Sequence, residues 1–596
     1  MCGIVGYIGK GQAKPILLQG LKHLEYRGYD SAGIAVWGKN GLQILKTHGR
    51  VAELSKQAST WAGEGNLGIG HTRWATHGKP SKKNAHPHIS ADGQVVLTHN
   101  GILENYAQVK QTLQLEGWNF SSDTDTEVIA NWLAKLFQLH KQDPVATLTD
   151  FFGQAQGSFA LAILFRAIPN RLFALRKESP LVIGIGEGEN FLASDLPPLL
   201  LHTKRVYYME NGEIACLQAE KVAFYSDKGD LLSKKAEDIS WQTEKMDKGK
   251  YPHFMLKEIH EQPDAVARTL RYLREGGMDC AKHWLKNVEQ LTIIGCGSSY
   301  HVGIALQYAI ERLCQLPVRV ELASEFRYRE IPMQGLVVAI SQSGETADTL
   351  AALRKAKKGG CATLAIVNVV GSAIAREADC ALYTQAGMEI AVATTKAYLT
   401  QLITGYYLAV QLALERVCID VFQARCLLAD LLELPEKIKE ILRQKEAIHR
   451  LAKRWKDMQY CFFIGRGMDY AVSMEGSLKL KEISYIPAEA YAAGELKHGA
   501  ISLIEPGTLV CCVCTQEGVF DKMRSNMQEV QSRGGELITI SIPSDVACDI
   551  CLPKTEEIFM ASLSVIPLQL FAYFVSVERG EDVDKPRNLA KSVTVE

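Results

Sequence analysis

The strongest constraint on the fold is an internal repeat. Leu291 to Gly297 (Leu-Thr-Ile-Ile-Gly-Cys-Gly) returns as Cys461 to Gly467 (Cys-Phe-Phe-Ile-Gly-Arg-Gly), and Leu336 to Ile340 is echoed by Leu509 to Val513. Each copy is a short apolar strand, a glycine turn and a helical pattern, the alternation that builds a parallel sheet covered by helices. Two α/β parallel-sheet domains are therefore expected, 251–435 and 436–583. Each copy closes on an uncharged stretch, Ala397 to Leu414 and Ile558 to Val577. Both are long enough to suggest a membrane span. Yet Thr400, Gln401, Thr404 and Gln411 interrupt the first, Ser562, Ser564, Pro567 and Gln569 the second, and no loop-charge asymmetry frames either. Buried helices of a large core are expected instead.

The first 240 residues read differently. Short β-like runs at Ile4–Ile8, Ser31–Trp37, Leu67–Gly70, Val95–Thr98, Phe159–Phe165, Arg171–Ala174 and Leu181–Gly184 are punctuated by Gly and Asn. Helical patterns interrupt them at Ala13–Leu24, Ile102–Glu116 and Thr126–Leu139. The expectation is an α+β domain, 1–240, built largely on antiparallel sheets. A charged stretch from Glu244 to Lys250 marks a linker, 241–250, and 584–596 forms a C-terminal tail.

Lys and Arg total 66 against 67 Asp and Glu, with no basic block, which disfavours nucleic acid as the main partner. Fifteen cysteines without disulfide-framework spacing, and an N-terminus without a secretory pattern, point to a reducing cytoplasm. Excess apolar helix surface in both halves suggests a homodimer.

Chemistry-bearing residues cluster in both parts. Removal of Met1, favoured by the small Gly3, would leave Cys2 carrying a thiol nucleophile and an α-amine base on one residue. An ordinary strand-end thiol is the plain alternative. Arg73, within His71-Thr72-Arg73-Trp74-Ala75-Thr76-His77-Gly78 after the strand at Leu67, offers a bidentate fork to a carboxylate. The same stretch also reads as a polar turn. In His99-Asn100-Gly101, an amide and a glycine N–H can stabilise an oxyanion, although Asn-Gly alone is usually a turn. Asp123 or Thr124 suits a helix N-cap, leaving Asp125 for an ammonium group.

In the second half, Ser341-Gln342-Ser343-Gly344-Glu345-Thr346 between strand and helix can form a phosphate cradle that needs no metal, with a plain Ser/Thr N-cap as the alternative. Cys296-Gly297-Ser298-Ser299 repeats the device. Lys479, Lys481 and Glu482 lie on a helix, and Glu489 to Gly499 runs from another helix into a loop bearing His498. A carboxylate and an imidazole are usual proton carriers beside carbonyls, although a solvated charged face explains the lysines equally well. Lys591, in a tail that could simply fray, could form a Schiff base with a ketose. Cys511/Cys514 and Cys548/Cys551 mimic a zinc ribbon, but Cys511 and Cys514 fall in a strand and point to opposite faces. His86-Pro87-His88 reads as structural.

Cys2-Gly3-Ile4-Val5-Gly6, Tyr26-Arg27-Gly28-Tyr29-Asp30-Ser31-Ala32-Gly33, His71–Gly78, His99-Asn100-Gly101 and Ser122–Glu127 together resemble the glutaminase domain of the N-terminal-nucleophile (class II) glutamine amidotransferases. That resemblance implies an N-terminal-nucleophile hydrolase fold, with antiparallel sheets between helix layers. It also implies Cys2 as nucleophile, Asn100 and Gly101 as oxyanion hole, and Arg73, Thr76, His77 and Asp125 as glutamine-binding residues. With the later motifs, the chain resembles almost end to end the amidotransferases that join this domain to two sugar-isomerase (SIS) domains. The implied activity is conversion of fructose 6-phosphate and L-glutamine to glucosamine 6-phosphate and L-glutamate, without cofactor or metal. Ser299, Ser341, Gln342, Ser343 and Thr346 would bind the sugar phosphate, Lys591 would form the imine, and Glu482 would shuttle a proton. His498, shared across a homodimer, would assist ring opening. Trp74 would gate an ammonia channel, with Arg27, Lys479, Arg587 and Ala590 as accessory residues. The chain departs from the family pattern at Thr394-Thr395-Lys396 and Ser298, where hydroxyls are kept. Phosphoribosyl-transferring or asparagine-forming relatives would need a pyrophosphate motif or an ATP loop, which are not found. A silent sugar-phosphate sensor is the rival of another class.

Overall fold

A computed structural model of the chain describes residues 2–39, 41–239, 247–330, 334–544 and 548–594. Most of the linker expected at 241–250, and the last two tail residues, lie outside that set. The chain divides into two compact units, Met1–Lys245 with Ser592–Glu596, and Met246–Lys591.

The first unit holds two antiparallel sheets. One has eight strands, with Gly3–Ile8 between Asn190–Ala193 and Leu67–Arg73; the other has seven, with Val95–Leu103 paired to Gly157–Phe165. Ile4, Ile8, Leu67 and Ile69 of the first sheet pack on Ala160, Ala162, Leu164 and Ala174 of the second, making an apolar layer between them. The outer face of the first sheet is covered by the helix Ala13–Leu24 through Leu17, Leu21 and Leu24. The outer face of the second is covered by Asp125–Leu139 and Pro144–Gln154 through Val128, Leu133, Phe137 and Phe151. Thr124 caps the Asp125 helix by accepting from the Glu127 N–H, as the sequence suggested.

The second unit contains the repeat. Two five-stranded parallel sheets share one strand order. Leu291–Gly295 lies between Val318–Leu322 and Leu336–Ser341, and Cys461–Gly465 lies between Ala488–Ala492 and Leu509–Cys514. Gly297 and Gly467 start the corresponding helices, Ser298–Cys314 and Met468–Ser484, at positive φ of 55° and 57°. The helices Lys396–Glu415 and Met560–Glu578 are buried along nearly their whole length in one continuous core, as expected of both uncharged stretches. By length and composition Glu557–Glu578 could span a membrane, and 94% of its most apolar window is buried inside the protein. The helix Val421–Leu442 carries a capping box, Asp420 with Gln423, and runs through the boundary expected at 435/436.

Several local expectations are corrected. His71–Arg73 and His99–Gly101 belong to strands, not loops. Glu489 lies in the strand Ala488–Ala492, not in a helix. Two cysteine pairs, Cys280 with Cys380 and Cys548 with Cys551, are disulfide-bonded, where sequence spacing suggested none. The first joins residues 100 apart in the chain, a proximity created only by folding. Cys511 packs on one side of its sheet and Cys514 on the other, as strand alternation requires.

Candidate active site

The nucleophile candidate enters the central strand of the first unit. Cys2 Sγ accepts the Trp74 N–H at 3.3 Å and lies 3.4 Å from the Trp74 carbonyl oxygen. Arg27 Nε donates to the Cys2 carbonyl at 3.2 Å, and its Nη1 meets Asp195 at 3.2 Å. Asp30 accepts the Ala75 N–H at 2.9 Å, tying the Tyr26–Gly33 turn to the Trp74 loop. Burial raises the Cys2 thiol, while the nearby N-terminal charge, the Trp74 hydrogen bond and Arg73 oppose it.

Arg73 is 3% exposed. Its Nη2 donates to the carbonyls of His77 and, at 3.1 Å, Gly78, whereas its Nη1 is buried without a partner. An unsatisfied guanidinium N–H in a buried site is a receptor for an anion. Asp125 is less free than its sequence position suggests. One oxygen accepts the Leu103 N–H at 3.0 Å and lies 3.8 Å from His99 Nδ1 and 4.0 Å from His77 Nδ1. His77 packs edge-on against Tyr106, and Thr76 is exposed. Gly101 has φ +118°, and a Cβ there would lie 1.9 Å from the Ser158 carbonyl oxygen, so glycine is obligatory.

Below this site lie four buried histidines. His71 stacks on His86 at 4.1 Å between centroids, His86 meets His88 at 5.0 Å, and Thr126 Oγ1 lies 3.1 Å from both His86 Nε2 and His99 Nδ1. Burial holds all four imidazoles below the ordinary histidine value, His71 at about 3. The unfolded chain takes up protons near pH ~6.5 while the folded one stays neutral, so this stability is complete above that pH and is lost as pH falls toward the folded values. Each imidazole contributes a slope of up to about 1.4 kcal/mol per pH unit. Calorimetric scans should therefore show the first unit melting earlier at about pH 5 than at about pH 7.5, and a pH-independent midpoint would refute the linkage.

The second unit gathers the other candidates. Lys591 pairs with Glu389, and both side chains are at most 3% exposed. Thr394 Oγ1 (2.7 Å), Thr395 N (2.9 Å) and Ala397 N (3.1 Å) also donate to Glu389, at the start of the helix Lys396–Glu415. Burial would raise this carboxyl, but the Lys591 charge and these hydrogen bonds win and hold it below the ordinary range. Nearby, Lys479 Nζ lies 2.6 Å from Glu482, 3.4 Å from Glu475 and 3.1 Å from Ser298 Oγ. Burial raises the Glu482 carboxyl against the pull of Lys479. Ser341 Oγ accepts the Gly344 N–H at 3.0 Å and lies 3.1 Å from Thr346 Oγ1, and Ser343 Oγ accepts the Glu345 N–H at 3.2 Å. Ser299 Oγ reaches Gln401 at 3.4 Å, and the Gln342 carbonyl accepts from Asn368 N. The described part of the tail is anchored rather than frayed. Asp584 accepts from Phe254 N and Met255 N at 2.9 Å, and Arg587 stacks on Tyr485 at 4.0 Å, three residues before a half-buried Ala590. His498 is not brought to this group; it sits exposed on the turn Glu495–His498, with no hydrogen bond or ion pair among the described residues.

The two copies differ in the turn that follows their first central strand, Cys296-Gly297-Ser298-Ser299 against Arg466-Gly467-Met468-Asp469. Asp469, 1% exposed, occupies the place of Ser299 in the second copy. Its carboxylate accepts Thr515 N at 2.6 Å, Thr515 Oγ1 at 2.5 Å and Gln516 N at 3.3 Å. The Asp469 carboxylate thus occupies the turn that corresponds to Ser341–Thr346 in the first copy.

Sequence reading missed Glu389, Glu475 and Ser194. Glu475 sits i−4 from Lys479 and binds His301 Nδ1 at 2.8 Å and Ser298 Oγ at 2.9 Å, so its helical spacing was the available signal. Glu389 lies seven residues before Lys396 with no local pattern, and only the fold brings it to Lys591.

Residues 71–201 match the glutamine amidotransferase domain family, and 285–411 and 458–579 match the SIS domain family. A protein of Caldanaerobacter subterraneus named glutamine–fructose-6-phosphate aminotransferase (isomerizing) is 48% identical over the full length of both chains. One of the same name from Clostridium acetobutylicum is 47% identical, again over both full lengths. Among solved structures, the C-terminal domain of glucosamine-fructose-6-phosphate aminotransferase from Francisella tularensis is 39% identical. It covers 57% of this chain and 100% of its own, with a TM-score of 0.55. At these identities and coverages the chain belongs to the glutamine–fructose-6-phosphate aminotransferase (isomerizing) family.

Proposed function

We propose that this chain converts D-fructose 6-phosphate and L-glutamine to D-glucosamine 6-phosphate and L-glutamate, the entry step of hexosamine synthesis. The observation that carries the reading is that one chain holds both halves of the chemistry: a thiol held by Trp74 near an anion-ready Arg73, and a buried Lys591 ammonium beside Glu389. Its domains are the glutaminase 1–240, the linker 241–250, the SIS domains 251–435 and 436–583, and the tail 584–596.

With Met1 removed, the Cys2 amine takes the thiol proton and the thiolate attacks the glutamine side-chain amide. Arg73 holds the α-carboxylate, Asp125 the α-ammonium group, and Thr76 and His77 line the pocket. Asn100 and Gly101 donate to the tetrahedral oxyanion. Ammonia leaves as the thioester forms, and water releases glutamate. Ser341, Gln342, Ser343, Thr346 and Ser299 hold the sugar phosphate. Lys591 condenses with the C2 ketone, losing water; ammonia displaces the lysine, and Glu482 moves a proton from C1 to C2. Lys479 keeps Glu482 in place. Trp74 gates ammonia passage, and His498 of the partner subunit opens the ring, which requires a homodimer; the chain works in the cytoplasm. Arg27 and Arg587 anchor the chain on either side of this chemistry.

The test is direct. Purified protein lacking Met1, checked by intact mass, should release glutamate and glucosamine 6-phosphate in a 1:1 ratio from glutamine and fructose 6-phosphate, the expected stoichiometry of coupled transfer. A folded protein that binds the sugar phosphate but forms neither product would be a sensor instead.

A further inference from the structure

Resting on the reading of Asn100 as an oxyanion donor, we infer that His71 and Ser194 are positioning residues that fix which end of the Asn100 amide faces the reaction. His71 is fully buried. Its Nε2 lies 2.9 Å from the His99 carbonyl oxygen and 3.2 Å from Asn100 Oδ1. A backbone carbonyl only accepts, so Nε2 carries the proton. A donor facing the Asn100 side chain must in turn meet its oxygen. The amide is thereby oriented with its oxygen on His71 and its NH2 group turned away. That group donates to Ser194 Oγ at 2.7 Å, and its second N–H is left for the reaction.

Ser194 does a second job. Its Oγ also accepts the Ile4 N–H at 2.8 Å, and its own N–H donates to the Ile4 carbonyl at 3.0 Å. One residue thus grips both backbone groups of Ile4, two positions after Cys2, while holding the Asn100 amide. The strand carrying the nucleophile and the donor facing the oxyanion are registered through a single hydroxyl. An oxyanion donor acts only if it is already aimed when charge develops. Without these two contacts the amide can rotate by half a turn and present its oxygen, which repels the oxyanion.

The experiment measures glutaminase kinetics of the full chain lacking Met1, with Asn100→Ala, Ser194→Ala, His71→Asn and His71→Gln, alone and combined. Asn100→Ala should lower kcat by roughly 10²- to 10³-fold. Ser194→Ala and His71→Asn should each lower kcat about 10- to 100-fold with little change in KM, below the loss of the donor itself. His71→Gln, whose amide nitrogen reaches the Nε2 position, should recover most of the loss. In the Asn100→Ala background both changes should cost almost nothing, since they act through that amide. Thermal melts of each variant show whether it is folded. If Asn100→Ala retains full glutaminase activity, the oxyanion assignment itself is wrong. If Asn100→Ala is slow but the Ser194 and His71 losses multiply with it, the positioning role is wrong and the assignment stands.

Discussion

Cys2→Ala is expected to end glutamine hydrolysis, lowering it by roughly 10⁴-fold or more, while conversion of fructose 6-phosphate to glucose 6-phosphate continues. In the proposed reaction the Cys2 thiol is the sole nucleophile, and no neighbouring thiol can replace it. Cys216, the other cysteine of the first unit, lies buried in a strand of the seven-stranded sheet. The proposed sugar chemistry draws on Lys591, Glu482 and the Ser341 turn, all in the second unit. Glutamate release and sugar isomerisation, measured on the same preparation, separate the two. Equal loss of both would mean that the sites are not separable. The thiol must also sit next to a free amine. Chains retaining Met1 have that nitrogen tied up in a peptide bond, so glutaminase activity should scale with the fraction of processed protein in the mass spectrum.

Sequence patterns carried the architecture because they report periodicity, and periodicity fixes which faces are buried. The helix Ala13–Leu24 and the strand Phe159–Phe165 fall where apolar spacing places them, and the repeat dictates two sheets of identical strand order. Motif edges were harder. The strands at Leu67 and Val95 continue through His71–Arg73 and His99–Gly101, polar residues that sequence assigns to loops. They remain in strands because cross-strand partners satisfy the backbone on both sides, as with Thr72 against Gly3 and Ala32, while the buried side chains find polar company in the histidine cluster. Long-range pairings were invisible for the same reason that they matter. Ser194 meets Ile4 across 190 residues and Lys591 meets Glu389 across 202, separations for which local spacing holds no information.

Replacing Lys591 should abolish amino-sugar formation and leave basal glutaminase intact. The choice of substitution decides what is learned. Lys591→Ala removes the nitrogen and also strips Glu389 of its counter-charge, leaving a fully buried carboxylate with only the Thr394, Thr395 and Ala397 donors. Loss of activity in that variant could reflect a displaced tail, since an unpaired buried charge is strongly destabilising. Lys591→Arg keeps a cation for Glu389, and the tail anchors at Asp584 and Arg587 are untouched. A guanidinium does not form the ketimine, so the covalent role alone is removed. Both variants should lose glucosamine 6-phosphate formation by about 10³-fold or more, with the Arg variant melting close to the parent. Borohydride added to the parent with fructose 6-phosphate should trap a reduced sugar adduct, located on Lys591 by peptide mass mapping and missing from both variants. An adduct on Lys479 or Lys396, the two other buried lysines of this unit, would move the imine away from the tail and overturn the assignment.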